Sequence, residues 1–168
     1  MKIKKIMFTF VIAVLLTTAF LIPVNAQIQD GGNNVPRADA LLGTWKVRVA
    51  GTQTTLPPLD EFMTFSAGGG VVESNNFPFV QIGLAAGPGH GTWRYAGRNR
   101  FPFTFIKFLF TPKGEPAGTL KVTSVIHYSP SSDTWSSQAT VVTCDTNVNN
   151  CMPLEITQGH ATRIVAGQ

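Results

Sequence analysis

The chain is 168 residues long and carries 13 Lys plus Arg against nine Asp plus Glu, a formal net charge of +4. Three of those positive charges, Lys2, Lys4 and Lys5, precede an uncharged apolar run from Ile6 to Ile22 and the small-residue ending Pro23-Val24-Asn25-Ala26. A basic start, an apolar middle and a small-residue end describe a secretory signal peptide over residues 1–26, cut after Ala26. Without it, ten Lys plus Arg face nine Asp plus Glu, a net charge of +1. The remaining basic side chains are scattered along the chain, so charge offers no ground for a nucleic-acid partner. Cleavage also removes the one run long enough to insert stably in a membrane, which leaves a secreted or periplasmic protein.

About 140 residues then remain, enough for one domain with its own core. Both cysteines, Cys144 and Cys151, enter an oxidising compartment, where a disulfide between them is expected. It closes a short loop, so it acts as a hairpin staple contributing about 2 kcal/mol. Residues 27–40, with Asp30-Gly31-Gly32-Asn33-Asn34 and Pro36, read as a flexible leader. Residues 41–168 form the folded domain.

That domain opens with Leu41-Leu42-Gly43-Thr44-Trp45-Lys46-Val47-Arg48-Val49, in which Leu41, Trp45, Val47 and Val49 alternate with polar neighbours. A period of two is the mark of a half-buried strand. Gly43-x-Trp45 at its start resembles the opening signature of the lipocalin and wider calycin families. The resemblance implies an eight-stranded cup whose floor the Trp closes, with an Arg from the end of the chain packed over it. The matching residue is Arg163, so Trp45 and Arg163 are expected as a barrel-floor pair.

Further strands follow in order. Asp60 to Ser66 carries Phe62, Met63 and Phe65, Ala67-Gly68-Gly69-Gly70 turns the chain, and Val71 to Ser74 begins the next strand. The stretch from Phe77 to Gly89 is apolar but interrupted by prolines and glycines, unsuited to a regular helix or a long central strand. Its greasy side chains must be hidden, and a lid over a barrel opening does that. His90 to Tyr95 places Gly91, Trp93 and Tyr95 on one face. Phe101 to Phe110 is the most apolar strand, and its phase shifts from odd residues (Phe101, Phe103, Phe105) to even ones (Ile106, Phe108, Phe110). Either a bulge near Phe105 restores one inward face or the strand is covered on both sides.

Ala117 to Tyr128 alternates with Leu120, Val122, Ile126 and Tyr128 on the even face. Thr134 to Cys144 has Trp135, Ala139 and Val141 in phase, and Met152 to Val165 has Leu154, Ile156 and Ile164 in phase. About eight strands joined mainly by short turns, with no amphipathic helix, predict an all-β fold, an antiparallel up-and-down β-barrel that removes its edges by closing. A flattened β-sandwich is the alternative architecture.

Chemistry-bearing patterns are few. His90, His127 and His160 fall on separate strands without metal-ligand spacing, and no nucleophile, phosphate-loop or zinc-protease motif occurs, so neither a catalytic residue nor a metal or cofactor is expected. Asp145-Thr146-Asn147 begins like a calcium loop, but Asn150 replaces the required Gly and Cys151 interrupts it. A polar hairpin tip is the better reading.

The remaining signal is a set of inward aromatic and aliphatic residues. Phe65, Trp93, Tyr95, Phe103 and Phe105 come from the first half of the domain. Leu120, Val122, Ile126, Tyr128 and Trp135 come from the second. Such a set either fills the barrel or lines an apolar pocket for a small hydrophobic molecule. Binding of that kind is the leading expectation. One alternative is a cyclase or isomerase using Tyr95, Tyr128 or Glu73 to polarise a hydrophobic substrate; another is a homo-oligomer formed through Phe77–Ala86 or Phe101–Phe110.

Overall fold

The computed structural model describes residues 38–52 and 57–167. The expected signal peptide over residues 1–26, residues 27–37 of the expected leader and residues 53–56 after the first strand lie outside the described residues. A 3-10 turn, Ala38–Leu41, leads into β1 (Gly43–Gly51), β2 (Leu59–Phe65) and β3 (Gly70–Asn75). A second 3-10 turn, Phe79–Ile82, precedes the two-residue β4 (Ala85–Ala86) and β5 (Gly89–Trp93). Four longer strands complete the fold: β6 (Arg100–Phe110), β7 (Pro116–Ser129), β8 (Thr134–Cys144) and β9 (Cys151–Arg163).

Every pairing is antiparallel. Neighbours run β1-β2-β3-β5-β6-β7-β8-β9, and β9 pairs back onto β1, from Trp45 opposite Arg163 to Gly51 opposite Thr157. The sheet is therefore a closed eight-stranded up-and-down barrel, not a sandwich. Closure gives each of the eight strands a ladder partner on both sides, so no long edge is left to pair with another chain. The short β4 hydrogen-bonds to β6 just beyond β5, with Ala85 opposite Phe110 and Ala86 opposite Leu109.

Most inward faces follow the alternation in the sequence. Trp45 and Val47 on β1, Val122 and Ile126 on β7, and Trp135, Ala139 and Val141 on β8 all point into the barrel and are buried. Two strands differ. On β6 there is no bulge near Phe105: the register with β7 runs unbroken from Arg100 to Leu109, and the odd face stays inward throughout. The apparent shift of phase arises because the inward position after Phe105 is a lysine, Lys107, while Ile106, Phe108 and Phe110 lie on the outer face. Phe108 is 60% exposed there.

On β9 the expected apolar face is turned outward. Leu154, Ile156 and Ile164 are exposed, and Glu155, Thr157, Gly159 and Ala161 face inward. The physical reason is volume. A Cβ on Gly159 would lie 2.9 Å from the Ser137 hydroxyl and 3.4 Å from Val47, so neighbours on β8 and β1 leave that inward position no room for a side chain.

The end of the barrel near Trp45 is solid. Trp45 is packed against Tyr128 and Trp135, both with ring centroids 6.2 Å away, and Phe65, Trp93 and Phe101 continue the cluster. Arg163 covers it: the guanidinium carbon lies 4.2 Å from the centroid of the Trp45 ring. That guanidinium donates to Asp133 through Nε (2.7 Å) and Nη2 (2.9 Å), to the carbonyl of Ala40 through Nη2 (2.6 Å), and to the carbonyl of Leu42 through Nη1. One side chain thus ties the 3-10 turn and the β7–β8 connection across the floor. Asp133 also accepts from the Tyr128 hydroxyl (2.9 Å), and the Arg163 hydrogen bonds hold its carboxyl below the usual carboxylate range.

At the opposite end, Cys144 and Cys151 form the expected disulfide, joining directly paired residues of β8 and β9 with Cα atoms 4.0 Å apart. The bond fits an oxidising, extracytoplasmic environment. Asp145 accepts from the backbone N–H groups of Asn147, Asn149 and Asn150, so its carboxylate builds the hairpin tip from inside.

Candidate functional site

Above the aromatic floor the same strands enclose a cavity of about 390 Å³. That lies within the roughly 300–1,000 Å³ range of small-molecule sites. It is hollow because inward residues are small on one side: Ser137, Ala139, Val141 and Thr143 on β8, and Thr157 and Gly159 on β9. Larger groups form the opposite wall, with Phe103, Phe105 and Leu109 on β6 and Leu120 and Val122 on β7.

The irregular segment between β3 and β5 contributes Phe77, Phe79, Ile82 and Leu84 to the same cavity. Phe77 and Phe79 pack edge to face at 4.7 Å, and the 3-10 turn ends at Gly83 in the left-handed conformation (φ 72°, ψ 27°). Pro78 and Pro88 flank this segment, which joins the ladder only through the two-residue β4. The apolar stretch therefore curls over the barrel mouth, as its composition requires, with Val80 left 77% exposed on the outside.

Of the ten aromatic and aliphatic candidates, Phe103, Phe105, Leu120, Val122 and Trp135 line the cavity. Phe65, Trp93, Tyr95, Ile126 and Tyr128 do not. They pack in or against the floor cluster. The indole N–H of Trp93 donates to the Ser66 carbonyl at 3.1 Å, which fixes that ring as part of the closed end. Tyr95 and Tyr128 are thereby removed from any role in polarising a cavity-bound substrate.

The cavity also has a polar end, of which sequence reasoning singled out Glu73 but neither its partner Lys107 nor Glu61. Glu73 of β3 and Lys107 of β6 are 0% and 2% exposed and form an ion pair. Lys107 Nζ lies 3.0 Å from Glu73 Oε1 and 2.8 Å from Oε2, with hydrogen-bond alignment toward Oε1 alone, so Oε2 is held by charge rather than by a directed bond. The side-chain amide of Asn75 donates to Oε1 at 2.8 Å. The ammonium of Lys107 also sits 5.7 Å from the centroid of Phe79, which fastens the roof to the wall.

A glycine makes this pair possible. In the register, Glu73 pairs with Gly89, and one further strand along stands Lys107. A Cβ at Gly89 would lie 2.7 Å from Glu73 Oε2 and 2.7 Å from the Phe105 ring. Only a residue without a side chain lets the two charged groups meet across β5.

Glu61 of β2 lines the cavity beside this pair. Burial, reinforced by the nearby Glu73 charge and opposed by Lys107, pushes its carboxyl up to about 8. No hydrogen bond joins that carboxyl to another described residue. Glu155 of β9 reaches the same cavity from the other side. These groups had a legible signal: Glu61 shares the odd phase of Met63 and Phe65, Glu73 that of Val71, and Lys107 that of Phe103 and Phe105. A charged residue on an inward phase is the pattern that marks a polar site inside a barrel.

Among the described residues no group of three or more His, Cys, Asp or Glu side chains is arranged to hold a metal ion. No family model matches the sequence, and no curated protein matches it.

Proposed function

We propose that this protein is a secreted, lipocalin-like barrel that binds a small hydrophobic molecule in its hollow half. The observation that carries the reading is the cavity of about 390 Å³, walled by Phe103, Phe105, Leu120, Val122 and Trp135 and roofed by the apolar segment between β3 and β5. Removing an apolar ligand from water is worth about 25 cal/mol per Å² buried, so shape and burial alone can supply useful affinity. The lipocalin-like part is supported by Gly43-x-Trp45 and by the stacking of Arg163 on the Trp45 ring. Secretion is supported by the composition of residues 1–26 and by the disulfide.

The test is native mass spectrometry of the mature protein purified from its own organism, followed by denaturing conditions, with an Ala139→Trp variant as control. Ala139 is small, inward and in the cavity wall, so the indole fills the space a ligand would use. A released apolar compound that the variant does not carry supports the reading. Equal binding by both proteins places any ligand elsewhere.

A self-association surface is a second reading, favoured by the outward Phe108 and by Val80 and Ile82 on the roof, all exposed. Sedimentation of Phe108→Asp beside the unaltered protein checks it: a dimer that the charge dissolves supports it, and a monomer in both cases ends it.

A further inference from the structure

The polar end of the cavity narrows the chemistry of what it holds. The titratable groups there are Glu61 from β2, Glu73 from β3 and Lys107 from β6, with Glu155 from β9 on the other side of the cavity. The one base is committed, since Lys107 is bound by Glu73. Glu61 differs from Glu73: it faces open cavity, and its carboxyl has neither a hydrogen bond nor an ion pair with any described residue. Rings line the same end, Phe105 near Glu73 and Phe79 under the Lys107 ammonium, so the aromatic lining there already accommodates a cation. On the far wall the indole N–H of Trp135, 3% exposed, has no acceptor among the described residues. Trp135 is linked to Glu61 by one row of paired residues, Trp135-Ala161-Val47-Glu61, across four adjacent strands.

We propose that the cavity takes an apolar amine, whose hydrocarbon body lies against Phe103, Phe105 and Leu120 and whose ammonium head pairs with the Glu61 carboxylate. This rests on reading the cavity as a ligand site. An acid-headed lipid would bring a second carboxyl beside Glu61, while Lys107 is already bound by Glu73. A neutral alcohol would make a hydrogen bond to Glu61 but no ion pair. An acceptor on the ligand body would further satisfy Trp135, and a plain alkylamine is the minimal probe. The paired charges form charge-assisted hydrogen bonds in surroundings that exclude water, where such bonds are strongest.

The proton balance gives the inference a signature. Near neutral pH the empty site keeps the proton on Glu61, whose carboxyl is pushed up to about 8, and a free alkylamine keeps its own. The bound pair is an ammonium facing a carboxylate, so one proton passes to the solvent for each amine bound. An alcohol releases none.

Titration calorimetry with octylamine, octanol and octanoate at pH 7, each in two buffers of different ionisation heat, tests this on the mature disulfide-bonded protein and on Glu61→Gln. The expected result is octylamine about ten- to a hundredfold tighter than octanol, octanoate weakest, and release of close to one proton with the amine alone. Glu61→Gln brings the amine to the affinity of the alcohol and abolishes the release. Equal affinity for amine and alcohol without proton release, or a preference for octanoate, overturns the inference and leaves the cavity reading intact. Failure of all three to bind to protein shown to be folded by circular dichroism overturns both. Should Glu61→Gln not fold, the head-group order and the proton count on the unaltered protein still decide.

Discussion

The two halves of this barrel share the same eight strands and differ in what those strands turn inward. Near the floor, β1, β6 and β7 present Trp45, Phe101 and Tyr128, and the polar tips there find partners: Trp45 Nε1 donates to the Leu41 carbonyl at 2.9 Å, and Tyr128 donates to Asp133. Toward the mouth, β8 and β9 present Ser137, Ala139, Thr157 and Gly159, and space is left. There the polar groups are less well served: the carboxyl of Glu61 has no hydrogen-bond partner among the described residues. A filled barrel and a hollow one are thus the same backbone with different inward volumes. The floor supplies stability and a fixed wall, and the mouth keeps unsatisfied chemistry at a cavity.

Truncation separates the halves most sharply. Trp45→Ala removes a fully buried ring along with its hydrogen bond and the surface on which Arg163 lies, so the expected loss is about 4 kcal/mol. Leu120→Ala only widens a cavity that already exists, and should cost about 1 kcal/mol. Urea unfolding of the two variants measures the gap, and similar losses would show that the mouth is as tightly packed as the floor. Lys107→Met comes next. It strands Glu73, 0% exposed, with no cation, for an expected loss of about 3 kcal/mol at neutral pH. The double variant Lys107→Met with Glu73→Leu should recover most of it, because a buried pair contributes little more than well-packed apolar groups.

How much of this was legible before any coordinates follows from where inward residues obey simple patterning. Alternation on β1, β7 and β8 identified inward faces, and consecutive hairpins identified the barrel. The disulfide was legible because two cysteines in a probable hairpin had no other partner among the residues of the chain. The phase of β9 was not legible, because its inward positions are small or polar and are set by neighbours such as Ser137 and Val47 on the flanking strands rather than by the hydrophobicity of β9 itself. Lys107 was read as a break in register when it is an inward charge. Its compensation, Glu73, lies 34 residues away in sequence and becomes a neighbour only across the glycine of β5.

The polar end should also show itself in the pH dependence of stability. Glu61 is raised from 4.5 to about 8 in the folded protein. A raised acid binds its proton more tightly when folded, so the folded state holds more protons than the unfolded state between those values. Stability is therefore full below about pH 4.5 for this group and is lost as pH rises toward about 8. The loss expected is on the order of 2 kcal/mol, since Glu61 borders a cavity that water can enter. Unfolding midpoints measured across that interval should fall with pH in the unaltered protein and stay level in Glu61→Gln. Parallel curves would assign the slope to another group.

The smallest effect concerns the rim. Cys144 and Cys151 are cross-strand neighbours seven residues apart, so the bond restrains a short loop and its reduction should cost about 2 kcal/mol. Asp145 continues to hold the hairpin tip through its bonds to Asn147 and Asn149, which limits how far the loop can open. Thr143, next to Cys144 on β8, lines the cavity, whereas Trp45 and its neighbours lie at the other end of the same strands. Reduction should therefore lower the unfolding midpoint and loosen ligand retention while leaving the near-ultraviolet circular dichroism of the floor tryptophans unchanged. A collapse of that signal on reduction would mean that the floor does not hold by itself, and that the two halves, so different in packing, unfold as one.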